Sequence, residues 1–338
     1  MSAGAGEVRA APAPADDDPL RWMALAVVSS AMLLSLSAWM TATAVGPELQ
    51  ERWTLTGFVA GTAAAAVLNL ADVIPARRLF AASAALAALA NALLLVAPGY
   101  ATALVVRFAT GAFLAGVYPP GMKMISTWFR SGRGFAIGTV VGALTVGKAL
   151  PYLLKAIGGA GLGPVVAGAS AAGLLGALLV AVGYREGPYP FARRPFSWSR
   201  VGRIVRHRET MLATGGYLGH MWELYAMWTW VPAYLAVAAA GSVPARVVDF
   251  VSFGTIAAGG LGCVWGGFAA DRIGRARVVN LAMAVSGACC LLAGPALAAP
   301  FVVVVLLSWV WGFFVVADSA QFSALVTEVA TSDSVGTA

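Results

Sequence analysis

From Arg21 onward the chain alternates between long apolar stretches and short polar or basic interruptions. Ten stretches are read, at roughly 22–46, 55–75, 79–97, 102–128, 134–157, 163–183, 210–236, 247–270, 278–296 and 301–327. Each is near the ~20 residues that a helix needs to cross ~30 Å of hydrocarbon. A backbone in lipid must satisfy its own hydrogen bonds, which leaves helices or closed barrels. The alternating ten-residue strands of a barrel are not found. The pattern therefore predicts an all-α polytopic membrane protein with ten spanning helices. Residues 1–20 are rich in Ala, Gly and Pro, end in Asp16-Asp17-Asp18, and carry no apolar period; they read as a disordered tail. Ala42-Thr43-Ala44 fits a cleavage signal, but the first apolar run exceeds the usual signal-peptide length and nine more follow, so it is read as a retained span.

Composition agrees. Of 338 residues, 60% are hydrophobic and 11% charged, against about 45–50% and about 25% in soluble domains. Mean hydropathy is +0.81. Such a chain cannot cover itself with a polar surface, which excludes a water-soluble enzyme. The formal charge of +7 first suggests nucleic acid as a partner, but the placement of the charges gives a better account. With a cytoplasmic N-terminus, sixteen basic residues fall on the inner side: Arg9, Arg21, Arg77, Arg78, Arg130, Arg133, Arg272, Arg275 and Arg277, and seven more between 185 and 209. The outer loops hold only Arg52, Lys155 and Arg246. That asymmetry is the positive-inside signature of a membrane protein, and no nucleic-acid partner is needed to explain it. Cys263, Cys289 and Cys290 lie in apolar runs without metal-ligand or disulfide spacing, so no metal and no cofactor are expected. No G-x-S-x-G or H-E-x-x-H pattern occurs, and no enzyme is predicted.

The 185–209 connection is the one long loop. It contains Pro188, Pro190 and Pro195 among its arginines. It divides the chain into a tail (1–20), a six-helix bundle (21–184), a cytoplasmic linker (185–209) and a four-helix bundle (210–338). An amphipathic surface helix is expected near Trp198–Arg208.

The second and eighth spans end in related sequences. The later copy runs from Gly267 through Asp271, Arg272, Gly274 and Arg275 to Arg277, a G-x-x-x-D-R-x-G-R-x-R pattern. The earlier copy keeps Asp72 and the final Arg78, preceded by Arg77, but lacks the first glycine, the middle Arg and the turn glycine. The two aspartates stand 199 residues apart. On these residues the chain from about 21 to its end resembles the major facilitator superfamily of secondary transporters. Arg107-Phe-Ala-Thr-Gly111 is also similar to that family's R-x-x-x-G motif of the fourth helix. The resemblance implies an MFS-like fold of two six-helix bundles around a cavity lined by the first, fourth, seventh and tenth helices. Twelve helices are then expected where ten are read, and the sequence is expected to be a fragment ending after the tenth. The physics of the motif stands separately. Glycine lets two helices approach closely, and Asp271 can accept from a neighbouring helix N-terminus. The arginines can pair across the bundle seam or touch anionic lipid. The motif is read as a cytoplasmic latch, with simple enforcement of topology as the alternative. The fifth span carries Gly134, Gly138 and Gly142 on one face, a surface for tight packing, and Pro151, which favours a kink. This does not match the Gly-Pro-rich pattern of the family's drug antiporters. The second and eighth spans also lack the buried Arg of its nitrate porters.

Charged groups at membrane depth usually face a cavity or a partner. Arg107, Lys155 and Lys123 sit near span ends and can snorkel. Lys148 lies about 21 Å into the fifth span by helix rise. His220 and Glu223 fall in the middle of the seventh, and Asp318 deep in the tenth. His220 and Glu223 are three apart and can share a face. Trp222 and Tyr225, too deep for an interfacial belt, are read as cavity walls, with Trp39, Thr41 and Thr43 of the first span opposite. A His/Glu/Asp set suits proton coupling, and Lys148 suits an anionic substrate group; a structural polar network is the alternative for both. The reading is a monomeric secondary transporter of a small-molecule substrate, coupled to a proton and working by alternating access. It lies in the lipid bilayer of the cytoplasmic membrane with its N-terminus inside. The alternative is a transport-inactive sensor or scaffold of the same fold.

Overall fold

A computed structural model describes residues 18–53, 75–158, 161–189, 206–322 and 325. Among these, all regular structure is helical. Helices α1 (Leu20–Leu36), α2 (Thr41–Ala44) and α3 (Gly46–Trp53) come first. Then follow α4 (Ala76–Ala92), extended by a 3-10 turn to Val96, α5 (Tyr100–Leu114), α6 (Tyr118–Ser126), α7 (Arg133–Gly158) and α8 (Leu162–Gly183). The later part contains α9 (Arg208–Ala239), α10 (Ala245–Ile273), α11 (Arg275–Ala296) and α12 (Phe301–Ala317). Seven of the described helical segments are long and apolar enough to cross a membrane. The expected second span and the expected surface helix near Trp198–Arg208 lie almost wholly outside the described residues.

Prolines and glycines mark where helices start. Pro75, Pro244 and Pro300 immediately precede α4, α10 and α12, where a fixed φ and a missing N–H cost nothing. A single residue, Gly274 at φ +88°, separates α10 from α11; a side chain at that φ would be strained, which accounts for the glycine in the motif. Pro151 lies within α7, which continues as a helix on both sides of it.

Three expected spans are interrupted. The first breaks at 37–40, where Ser37 Oγ donates to Leu34 O and to Ala169 O and so competes with the helical ladder. The fourth breaks at 115–117, because Pro119 and Pro120 in the first turn of α6 have no N–H to return to the preceding turn. The tenth breaks at Asp318, after which residues 319–322 form one further helical turn.

Helix α1 packs on α7 and α8, and α4 on α5 and α8. Val28, Met32, Phe80, Trp128 and Tyr184 anchor the core between them. In the later part α10 packs on α12, and α11 on α12. The two parts meet chiefly where α7 runs along α10. A second core crosses this junction, with Val141 and Tyr152 of α7 against Trp228, Leu235, Ile256 and Val316.

Candidate functional site

The glycine face of α7 fixes how closely the two parts approach. A Cβ added at Gly138 would lie 2.6 Å from Cys263 O, one at Gly142 2.6 Å from Gly260 O, and one at Gly267 2.5 Å from Gly134 O. Backbone therefore rests on backbone from Gly134 to Gly142. This close seam carries Lys148, further along α7, into the junction, where the residue is 4% exposed. Three rings surround its ammonium: Trp39 with its centroid 4.3 Å from Nζ, Trp228 at 4.5 Å and Tyr225 at 5.2 Å. Trp39 and Tyr225 are themselves stacked, 6.1 Å apart. Among the described residues no oxygen accepts from Nζ and no carboxylate lies within 4.0 Å. Each desolvated cation–π contact contributes about 2 kcal/mol, while burying a charge costs several kcal/mol. The rings thus offset much of that cost but leave the ammonium without a counter-charge among the described residues.

Trp39 belongs to the break in the first span, and Arg107 holds that break. Its Nη1 donates to Ala38 O at 3.1 Å and to Asn91 Oδ1 at 2.9 Å, and its Nη2 donates to Trp39 O at 2.7 Å. Asn91 Nδ2 in turn donates to Ser170 Oγ at 3.0 Å. The guanidinium satisfies carbonyls that the interrupted helix leaves open. Arg107, which the sequence left able to snorkel, turns inward to carbonyls it can reach. Gly111 lies one turn further along α5, half-buried. Thr41 Oγ1 donates to Ser37 O inside the break, and Thr43 is half-buried.

A second polar group forms at the break in the tenth span. His220 Nδ1 lies 3.1 Å from Asp318 Oδ1, within ion-pair range though off the axis of a hydrogen bond, and both residues are buried. His220 Nε2 meets Ser319 Oγ at 2.6 Å. Tyr217 stacks on the His220 ring on one side, and Phe322 lies tilted against it.

Two expected members of this group lie elsewhere. Glu223 does not join His220: Ser286 Oγ of α11 donates to its Oε1 at 2.5 Å, and Trp311 Nε1 of α12 donates to that Oγ at 3.1 Å. Three residues are 300° of helix, so the two side chains diverge by about 60° and meet different neighbours. Trp222 is 82% exposed. It stands about 200° from His220 around α9, on the side away from the junction.

At the Gly134 end of the seam, the Asp271 carboxylate packs over Gly134 in the first turn of α7, where a Cβ would lie 2.7 Å from Oδ1. Arg272 stacks on Phe268 of its own helix at 3.8 Å. Arg275 donates to Gln321 Oε1 at 2.8 Å. Arg277 and Arg78 are exposed, and Arg77 donates to Ala181 O. Asp72 lies outside the described residues. In the last turn of α7, Lys155 turns to protein partners rather than outward. It pairs with Glu48 at 3.3 Å and with Asp249 of α10 at 3.9 Å, and donates to Ala44 O at 3.1 Å. Lys123 is half-buried in the last turn of α6. Sequence reasoning missed Asn91, Asp249 and Ser319. All three were legible as polar residues inside apolar runs, Ser319 immediately after Asp318.

The family model described as Major Facilitator Superfamily matches residues 22–338. No curated protein matches the sequence. Among solved structures, a variant of the nucleoside transporter NupG aligns over 94% of this chain and 84% of its own, with TM-score 0.63 and 13% identity. A variant of the E. coli fucose:proton symporter FucP aligns over 92% and 86%, with TM-score 0.62 and 16% identity. A bacterial homolog of the human lysosomal transporter Spinster, inward-facing and occupied, aligns over 94% and 77%, with TM-score 0.61 and 15% identity. At these identities the likeness is one of fold.

Proposed function

The chain belongs to the Major Facilitator Superfamily, and on that premise we propose that it is a secondary transporter moving a small solute by alternating access, coupled to a proton. The observation that carries the coupling is the buried His220–Asp318 pair at the break in the tenth span. Imidazole is the side chain whose charge changes most readily near neutral pH. A carboxylate beside it at membrane depth can pass a proton on or release it as the surroundings open to water. Interrupted helices are where membrane proteins place such groups, because the open backbone lines a cavity rather than lipid. FucP, a protein of similar fold, is a fucose:proton symporter, which supports the coupling reading. The inner-side excess of arginine supports a cytoplasmic-membrane protein with its N-terminus inside, and the reading is of a monomer.

Vesicles reconstituted with the full chain and loaded with a pH-reporting dye test this against a metabolite panel. A transported solute is expected to drive a pH change in the lumen. Asp318→Asn is expected to abolish that change while labelled-solute exchange continues. Exchange without any pH change overturns the coupling; a folded chain that exchanges nothing overturns transport.

A further inference from the structure

We propose that the solute is a small organic monoanion, a carboxylate on a flat apolar body, and that Lys148 supplies its counter-charge within the ring cluster of Trp39, Tyr225 and Trp228. The inference rests on the transport reading above and names the substrate class of the same junction. It begins from an imbalance. Lys148 is 4% exposed, and its ammonium has three N–H donors without an acceptor among the described residues. The carboxylates nearest in function are already engaged: Asp318 with His220, Glu223 with Ser286, and Asp249 with Lys155. A lysine placed for structure alone would be expected to take one of them.

The position also suits a carrier. Lys148 stands on α7, Trp39 in the break of the first span, and Tyr225 and Trp228 on α9, so the rings come from both sides of the junction. An anion held by Lys148 would touch both parts at once and draw them together around itself. Ring faces attract a cation but not an anion. They can serve as partner to the ammonium while the site is empty, then as walls for the apolar body once a carboxylate has taken the charge. Tyr225 is 37% exposed, which leaves the cluster thinnest on its side. One cation calls for one negative charge, and the planar faces favour a flat body over a polyhydroxylated one.

Binding measured on the purified full chain tests the class without requiring transport, with tryptophan fluorescence as readout because Trp39 and Trp228 face the site. The probes are acetate, benzoate, phenylacetate, the amides of each, and benzylammonium, at fixed pH and ionic strength. Saturable binding is expected for the aromatic carboxylates, at least about tenfold weaker for the amides, and absent for benzylammonium. Lys148→Met is expected to lose the preference for carboxylate over amide, and Lys148→Arg to keep it. Should Lys148→Met fail to fold, Tyr225→Ala, which removes one wall of the cluster, is expected to bind the aromatic carboxylates more weakly while keeping their preference over the amides. Equal binding of amide and carboxylate, or no saturable binding by any carboxylate, overturns the proposal. Carboxylate binding by a chain that exchanges no solute across vesicles leaves the proposal standing and overturns the transport reading instead.

Discussion

The two halves of α7 hold their neighbours by opposite means. From Gly134 to Gly142 the helix turns a glycine face to α10, whose backbone rests directly on it. From Lys148 to Lys155 it presents two cations, one among aromatic rings and one between carboxylates. The first half is packed backbone on backbone, so a side chain added there must displace α10. The second half depends on charges, which can exchange partners as water enters. A protein that opens alternately to its two sides needs both kinds of contact along the seam, one to fix register and one to yield.

The contrast is broken most severely at Gly142. Gly142→Leu must push α10 away over the whole seam, since even a Cβ would sit 2.6 Å from Gly260 O. The expected cost is about 3 kcal/mol or more, read as a large fall in the unfolding temperature in detergent or as loss of a monodisperse peak. Gly158→Ala, where nothing lies within 4 Å of the added Cβ, is the control and is expected to change neither.

Next in size is Arg107, which supports the charged half indirectly. Arg107→Met leaves the carbonyls of Ala38 and Trp39 without their donor, at about 1–3 kcal/mol for each buried unpaired group. Trp39 is expected to leave Lys148, shifting tryptophan emission toward the red. Arg107→Lys is expected to recover only part of this, because one ammonium cannot replace a planar fork directed at two carbonyls and Asn91.

Much of this division was legible in the sequence, and the missing part has a physical cause. Glycines at spacing four announce a close-packing face wherever they fall in a helix, so the inner half of α7 was readable as local pattern. Lys148 was identifiable from depth alone. Its surroundings were not, because Trp39 reaches it through a helix break that hydropathy does not register. The apolar run from 22 to 46 continues without interruption through Ser37–Met40. Glu223 was misplaced for a related reason: spacing along one helix says which residues share a side, but only the packing of α11 and α12 decides which neighbour each meets. Arg107 and Lys155, near span ends, looked free to reach water, and carbonyls or carboxylates from distant parts of the chain claimed them.

A smaller effect separates the partners of Lys155. Asp249 belongs to α10, whereas Glu48 lies on α3, before the junction. Asp249→Asn therefore weakens the tie between the two parts and Glu48→Gln mainly the fold of the outer loop. A partly buried pair at 3.9 Å contributes about 1 kcal/mol. Removing it is expected to shift the balance toward an outward-open form by about fivefold. Distance measurements between spin labels on the outer ends of α7 and α10 read that shift, and an equal response to both substitutions would remove the distinction.

The smallest effect sharpens the other end. Asp271 is exposed and packs over the first turn of α7, where its charge faces the positive end of the helix dipole. Asp271→Asn keeps the shape and removes the charge, at an expected cost of about 0.3–1 kcal/mol that diminishes as salt screens it. Asp271→Ala removes shape and charge together. If the inner half is held by backbone contact, the two substitutions lower the unfolding temperature by similar, small amounts that vanish at high salt. If Asp271 instead locks the cytoplasmic side, both increase labelling of a cysteine placed at Phe135 far more than they change stability. That outcome would move the inner end of α7 into the class of contacts that yield, leaving only its middle as the fixed part of the seam.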